Sequence, residues 1–222
     1  MVVASAATSR FGAPKKSLEI ITWNIGSLRK HRVALFGLLS SYAPHAVFIQ
    51  EATMPCGLLN SLRYELRPLG YTVHSSPQVG LVTVARRGLN LAPIRSQIDD
   101  GDFRTQRFAW QIGSTRLLVR HRHAHSSSPS ERARFNNLCS TECAGDLCLD
   151  IGDFNERPAV DAGSVLVFPS SGTFRLNAGL SKFETCIDGA VVSNALARGA
   201  SARLCPAVDG VQLIVLLRFH CP

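Results

Sequence analysis

Residues 147–155 read LCLDIGDFN, and this stretch decides both the fold and the place to look for a site. The apolar run at 147–151 is short and is followed at once by a glycine, which is typical of a buried strand. Gly152 permits a sharp turn directly after that strand. Asp153 and Asn155 lie two positions apart on an extended segment, so their side chains point to the same side. The stretch predicts a buried strand that ends in a paired acid and amide.

Four other predicted strands carry a polar residue at or near one end. Asn24 ends the strand in ITWNIGS, and Glu51 directly follows the apolar strand in VFIQE. Asp188 lies in CIDGAVVS, and Asp209 precedes the last apolar strand in VDGVQLIVLL. Strand ends hold such side chains on a rigid scaffold that faces a cleft. An acid after a strand is also a common turn or cap residue, so a structural role stays open for each position alone.

The rest of the chain alternates short apolar runs with turn signals. Strands are predicted at 18–25, 46–50, 71–74, 80–86, 91–98, 107–112, 116–123, 147–151, 187–192, 202–206 and 212–219. Helices are predicted at 28–40, 58–66 and 130–143, the first with inward-facing Val33, Leu35, Phe36, Leu38 and Leu39. Five successive strands from 71 to 123 imply that one sheet packs on another. With helices outside, this is the α/β class: a four-layer α/β/β/α sandwich of two packed mixed sheets covered by helices.

Length and composition suit one domain. The chain has 222 residues, of which 45% are apolar, and this excludes a collagen-like or wholly disordered protein. Residues 1–17 predict a basic flexible N-terminal arm, and 18–222 a single domain. No apolar run reaches the roughly 18 residues needed to cross a bilayer, so we expect a soluble protein with no membrane partner. Trp23 and Trp110 lie within predicted strands and are expected in the core.

The net charge of +8 is carried mainly by arginine, since 20 of the 24 basic residues are Arg. Between positions 103 and 134 there are seven Arg against one acid. Arg is well shaped to bind phosphate, so a polyanionic partner fits the charge. An Arg-rich composition spread over a solvated surface remains the alternative.

The cysteine count favours a reducing compartment. Seven Cys is an odd number, and there is no secretory signal pattern, so a disulfide framework is not expected. Cys139, Cys143 and Cys148 match no standard zinc spacing. We expect an intracellular protein, nuclear or cytoplasmic; the basic N-terminus, which lacks acids, leaves organelle targeting open.

The order of these motifs resembles that of a known family. TWNI, QE, a strand-end His, GDFN, ID and an Asp before the last apolar strand follow one another as in the endonuclease/exonuclease/phosphatase superfamily, which has the DNase I-like fold. The resemblance runs from about residue 18 to residue 219, and GDFN is its most specific piece. It implies a metal-dependent phosphodiesterase, with mobile-element endonucleases among the related proteins.

The resemblance implies a metal site built on Glu51 as the main ligand, with Asn24 and Asp209 completing or supporting it. Hydrolysis of a phosphodiester needs a cation to neutralise charge on the phosphoryl oxygens. Hard carboxylate and amide oxygens favour Mg²⁺ or Mn²⁺ as the cofactor.

The resemblance also implies catalytic roles. Asp153 would orient or deprotonate the attacking water, Asn155 would donate to the phosphate, Asp188 would assist on the leaving-group side, and Asp209 would serve the site as well. Among the histidines of RHRHAH, His125 is preferred as the catalytic residue because a small-residue loop and a helix follow it, and His123 is the second choice.

Four residues are predicted to contact nucleic acid. Thr173 and Arg175 lie in SSGTFRLN, a loop that resembles one near the nucleic acid in nuclease branches of the family. Arg120 and Arg122 belong to the basic run between the histidines, which would attract a phosphate backbone.

The last motif departs from the family. Val208-Asp209-Gly210 stands where the family has Ser-Asp-His, and glycine can neither move a proton nor donate from a side chain. The reading that follows is a DNA endonuclease, expected to be a monomer. Two alternatives stay open: a catalytically impaired protein that binds nucleic acid, and a phosphatase acting on small phosphoesters.

Overall fold

A computed structural model describes residues 17–76, 80–94, 105–112, 114–124, 130, 147–155, 158, 160, 162–170, 188–205 and 214–220. The strands in these ranges are β1 (Ser17–Asn24), β2 (Ala46–Gln50), β3 (Tyr71–Ser76), β4 (Leu81–Arg86), β5 (Leu91–Pro93), β6 (Thr105–Ile112), β7 (Thr115–His123), β8 (Leu147–Asp153), β9 (Ser164–Val167), β10 (Asp188–Ser193), β11 (Ser201–Cys205) and β12 (Ile214–His220). The helices are α1 (Leu28–Tyr42), α2 (Cys56–Leu66) and α3 (Asn194–Ala197).

The strands form two six-stranded sheets. The first has the order β11-β12-β1-β2-β4-β3, and the second has the order β5-β6-β7-β8-β10-β9. Each sheet is mixed, because β1 runs parallel to β2 and β7 parallel to β8 while the neighbouring pairs are antiparallel. The two parallel pairs lie centrally, so the carboxyl ends of four strands point to one edge of the sandwich.

Strand alternation sorts the apolar side chains into two cores. Ile20 and Phe48 face the second sheet, where they pack with β6 to β8 residues that include Trp110. Ile21 and Trp23, of opposite parity, pack under helices α1 and α2 on the outer face of the first sheet. Both tryptophans are 1% exposed, which confirms their predicted place in the core.

The structure corrects several details of the sequence prediction. Val33, predicted to face inward, is 85% exposed, and its neighbour Ala34 is buried instead. Strand β9 and the short helix α3 were not predicted. The helix predicted at 130–143, which would be the fourth layer, lies outside the described residues beyond Ser130. Within the described part of the chain, no helix is long and apolar enough to span a membrane.

Candidate active site

Four strand ends meet at one edge of the sandwich. Asn24 ends β1 and Glu51 follows β2 in the first sheet, while His123 ends β7 and Asp153 ends β8 in the second. Because both strand pairs are parallel and the sheets pack face to face, side chains from the two sheets converge here. The site therefore stands on rigid elements rather than on a single loop.

Asn24 links the two carboxylates. Its Nδ2 donates to Glu51 Oε1 at 3.0 Å and to Asp153 Oδ2 at 2.8 Å. The backbone N–H of Gly26 donates to Asn24 Oδ1 at 3.2 Å, which orients the amide so that nitrogen faces the acids. In this arrangement Asn24 supports the carboxylates as a donor, and its oxygen is turned away from them.

His123 completes a group that fits a divalent cation. Its Nε2 lies 3.4 Å from Glu51 Oε1. Among the described residues, Glu51, His123 and Asp153 each offer a ligand atom, and these atoms lie within 4.8 Å of one another. Ligands held roughly 2.0–2.6 Å from one ion are spaced in this way. Two hard carboxylates and one imidazole form a donor set that a divalent metal accepts.

The two carboxylates differ in exposure. The Glu51 side chain is 46% exposed, whereas Asp153 is only 2% exposed. Burial raises the pKa of the Asp153 carboxyl above its ordinary value, and the Glu51 charge acts in the same direction. The hydrogen bond from Asn24 and the charge of His123 oppose that rise. A carboxylate with a raised pKa holds a proton more readily, as a general base must.

The GDFN turn fixes Asp153 through its own backbone. The N–H of Asn155 donates to Asp153 Oδ1 at 2.8 Å, and Asn155 adopts a left-handed φ of 53°. The Asn155 side chain donates to the carbonyl of Ala124, and the Ala124 N–H donates to the Asp153 carbonyl at 2.9 Å. The turn and the end of β7 therefore hold each other in register.

Asp188 stands beside this group. It pairs with Asp153 across the antiparallel β8–β10 ladder, so the two side chains lie on the same face of the sheet. Asp188 is 6% exposed. The structure thus brings together Asn24, Glu51, Asp153, Asn155 and Asp188, with His123 rather than the preferred His125 as the described histidine. His125, Thr173, Arg175, Asp209 and Gly210 lie outside the described residues.

The prediction that Arg120 and Arg122 contact nucleic acid is wrong. Both residues are fully buried, and they lie on the face of β7 opposite to His121 and His123. Arg120 forms a two-pronged ion pair with Asp150, in which Nη2 donates to Oδ2 at 2.7 Å. The Arg122 Nε atom lies 3.4 Å from Asp150 Oδ1.

The ion pair between Asp150 and Arg120 was not predicted from the sequence. Its signal was present, because an acid in the middle of the buried strand LCLDI needs a cationic partner. The parallel register places Arg120 directly opposite Asp150. Two arginines of the basic run are therefore interior residues that lie against Asp150.

A buried polar cluster joins the two sheets behind the site. Gln50 Nε2 lies 2.8 Å from His121 Nε2, and Gln106 Oε1 lies 2.9 Å from His121 Nδ1. Thr83 Oγ1 donates to Gln106 Oε1 at 2.8 Å. Since the Gln50 amide is a donor, His121 accepts at Nε2 and donates from Nδ1, which is the neutral ring. Burial, aided by the charge of His123, lowers the pKa of His121 to about 3.

This cluster predicts a loss of stability in acid. A histidine whose pKa falls from 6.5 in the unfolded chain to about 3 in the fold stabilises the fold above 6.5 and loses that contribution as the pH falls. We expect His121 alone to contribute a fall of about 1.4 kcal/mol per pH unit to the free energy of unfolding across this window, added to the contributions of the other titrating groups. Urea unfolding at a series of pH values should show this slope in the wild type and in His31→Asn. In His121→Asn the slope should be smaller; equal slopes in all three proteins would contradict the prediction.

Comparisons with known proteins give a structural match only. No protein-family model and no curated protein sequence matches the chain. AP endonuclease LMAP from Leishmania major aligns over 100% of this chain and 93% of its own, with 15% identity and a TM-score of 0.70. The 3′-5′ exonuclease NExo from Neisseria meningitidis aligns over 92% and 100%, with 16% identity and a TM-score of 0.67.

A third structure is TDP2 from D. rerio in complex with a single-strand DNA product. It aligns over 93% of this chain and 100% of its own, with 16% identity and a TM-score of 0.66. All three proteins are DNase I-like members of the endonuclease/exonuclease/phosphatase superfamily. The chain has the DNase I-like fold. This confirms the fold predicted from the motif series, while identities of this size leave the activity to be argued from the site.

Proposed function

We propose that the chain is a divalent-metal-dependent phosphodiesterase that cleaves the backbone of nucleic acid, as a DNA endonuclease. The observation that supports it best is the convergence of Glu51, Asp153 and His123 from two sheets, with Asn24 bridging the acids. A structural role explains this grouping poorly. Two carboxylates that share one donor repel each other, and such an arrangement is stabilised by a bound cation.

The residues divide the chemistry among them. Glu51 and Asp153 would hold Mg²⁺ or Mn²⁺. The bound ion would neutralise charge on the phosphoryl oxygens and activate the attacking water. Asp153, buried within the cluster, would accept the proton of the attacking water. His123 donates to the phosphate or to the leaving oxygen. Asn24 keeps the two carboxylates at fixed separation, and Asp188 extends the acidic edge beside Asp153.

DNA is the proposed substrate on two grounds. The net charge of +8 favours a long polyanion over a small phosphoester, which carries far fewer negative charges. The D. rerio TDP2 structure, which shares the fold, holds a single-strand DNA product. The two arginines of the basic run at 120–122 are buried and therefore give no support to DNA binding.

A second candidate is a protein that binds nucleic acid without cutting it. Val208-Asp209-Gly210 in place of Ser-Asp-His favours this alternative, because a general acid or base typically contributes about a hundredfold to ten-thousandfold in rate. The position of His123 within the cluster favours the enzyme, since it provides an imidazole at the site.

The proposal is tested by magnesium-dependent nicking of supercoiled plasmid DNA. We expect the purified protein to nick, and Glu51→Gln to raise the magnesium concentration for half-maximal nicking by about tenfold or more, because a charged ligand is lost. Glu65→Gln is the matched control, since Glu65 pairs with Arg32 on the helical surface away from the site. Salt-sensitive DNA binding by the wild type, with no nicking in magnesium or manganese, would instead establish the binding protein.

A further inference from the structure

A second concave surface lies at the open side of the sandwich, where the edge strand of one sheet approaches the edge of the other. It has a volume of about 470 Å³, within the roughly 300–1,000 Å³ of ligand sites. Strand β3 and helix α2 form one wall, and strand β6 forms the other. Its lining includes Arg63, His74, Ser75, Thr105, Arg107 and Phe108. We call this the side pocket.

The side pocket has the chemistry of an anion site. Arg63 and Arg107 supply guanidinium groups from opposite walls, and none of the described residues that line the side pocket is a carboxylate. Ser75 and Thr105 add hydroxyls that can donate to an oxyanion. Arg63 Nη2 lies 3.5 Å from Ser75 Oγ, so a cation and a hydroxyl are already side by side. A phosphate diester matches this set of donors.

Two packed rings form the base of the side pocket. The rings of His74 and Phe108 contact edge to face, with 5.5 Å between their centroids. Phe108 is 1% exposed and belongs to the core between the sheets. Burial lowers the pKa of His74, with the charge of Arg63 acting in the same direction. Among the described lining residues, the two arginines therefore carry the positive charge at neutral pH.

Strand register places the side pocket next to the candidate active site. Thr105 pairs with Arg122, the residue before His123, so its Cα lies about one strand spacing, roughly 5 Å, from that of Arg122. On the other wall Ser75 pairs with Val82, and Val82 pairs with Ile49, two residues before Glu51. Both walls thus lead to the edge where the site residues converge.

We propose that the side pocket binds a backbone phosphate of the nucleic-acid strand, a short distance along the strand from the phosphate that is cleaved. This inference rests on the proposed function and adds a strand-positioning site to it. Arg63 and Arg107 grip the non-reacting phosphate from both walls and so fix the register of the strand at Glu51 and His123. Such residues contribute to binding and leave the chemical step unchanged.

Binding is measured by fluorescence anisotropy with a labelled single-stranded DNA oligonucleotide, in EDTA and over a range of salt. We expect Arg107→Gln to weaken binding about tenfold and to reduce the salt slope by about 0.7, the value for one lost phosphate contact. We expect Arg63→Gln, which removes the guanidinium group of the opposite wall on the exposed face of α2, to weaken binding and reduce the salt slope by the same amounts. Arg87→Gln is the matched control, because Arg87 is exposed in the turn after β4, at the opposite end of that strand from the site.

The outcomes separate the two proposals. Higher KM with unchanged kcat for plasmid nicking in both pocket variants supports the side pocket. Wild-type binding and salt slope in Arg63→Gln and Arg107→Gln, with nicking still dependent on Glu51, would overturn it and leave the phosphodiesterase intact. Loss of oligonucleotide binding in these variants from a protein that never nicks supports the pocket and refutes the phosphodiesterase. Thermal stabilisation by inorganic phosphate that depends on Arg107, with unchanged oligonucleotide binding, assigns the pocket to free phosphate and overturns the strand-binding proposal.

Discussion

Asp153→Asn is expected to lower the rate of DNA cleavage by about a hundredfold or more, while the metal-free protein becomes no less stable. The rate falls because an amide cannot accept the proton of the attacking water. Stability is kept because the buried carboxyl has a raised pKa, so its ionised form opposes folding at neutral pH. The one amide oxygen of the variant can accept from the Asn155 N–H, and the hydrogen bond from Asn24 Nδ2 is lost. That loss costs about 1 kcal/mol, which the removal of the buried charge offsets. Single-turnover cleavage and urea unfolding in EDTA measure the two effects.

The sign of the pH dependence gives a second check. A carboxyl whose folded pKa lies above its ordinary 3.8 stabilises the fold only while it is protonated, and that contribution is lost as the pH rises through the folded pKa. The wild type should therefore lose some free energy of unfolding above pH 3.8 that Asp153→Asn does not lose. The difference between the two proteins isolates Asp153 from the other acids.

Asp150→Asn is the matched control, since it makes the same chemical change on the same strand. Asp150 is 1% exposed and pairs with Arg120, with Arg122 close by. Loss of its charge breaks the buried ion pair with Arg120, which costs about 3–5 kcal/mol. Asp150 should therefore matter for stability and Asp153 for cleavage. Equal destabilisation by the two substitutions would contradict this division.

The sequence predicted much of the fold because its apolar runs are short and cleanly bounded. The strand Ala46–Gln50 has the predicted limits, and the sheet-on-sheet packing was foreseen from the succession of strands. Val33 was misplaced because a helix of modest amphipathicity leaves its inward face ambiguous by one residue. Strand β9 has only four residues. Its two end residues are buried, and the two between them are exposed and partly exposed, so its sequence shows no alternation of apolar and polar positions that would predict a strand.

The candidate site was predictable where side chains stand at strand ends. Asn24, Glu51 and Asp153 follow directly from the strand limits, and the structure brings them together. Arg120 and Arg122 could not be placed, because local charge does not reveal which face of a strand is covered by the fold. The sequence predicted the end of the strand at residue 123 correctly, but the loop and helix that follow favoured His125 over His123. The structure places His123 beside Glu51, and His125 lies outside the described residues. The side pocket could not be predicted from the sequence, because its walls come from three elements, α2, β3 and β6, that are distant from one another along the chain.

Gly152→Ala is expected to destabilise the protein by about 4 kcal/mol or more, or to prevent its folding. Gly152 has a φ of 151°, and a Cβ at this position would lie 1.9 Å from the carbonyl oxygen of Arg122 and 2.9 Å from its carbonyl carbon. These are backbone atoms of the neighbouring strand β7, so no side-chain rotation relieves the clash. The strands would have to separate where their pairing holds His123 opposite Asp153. Urea unfolding of the purified variant measures the loss.

Gly37→Ala provides the control within the same chain. Gly37 lies in α1, and an added Cβ there meets nothing within 4 Å. Alanine should stabilise that helix by about 0.5–1 kcal/mol, because glycine is a poor helix former. If Gly152→Ala instead unfolds with a free energy close to that of the wild type, β7 and β8 do not approach as described. The placement of His123 beside Asp153, and with it the candidate cation site, would then be wrong, because that approach joins the two residues.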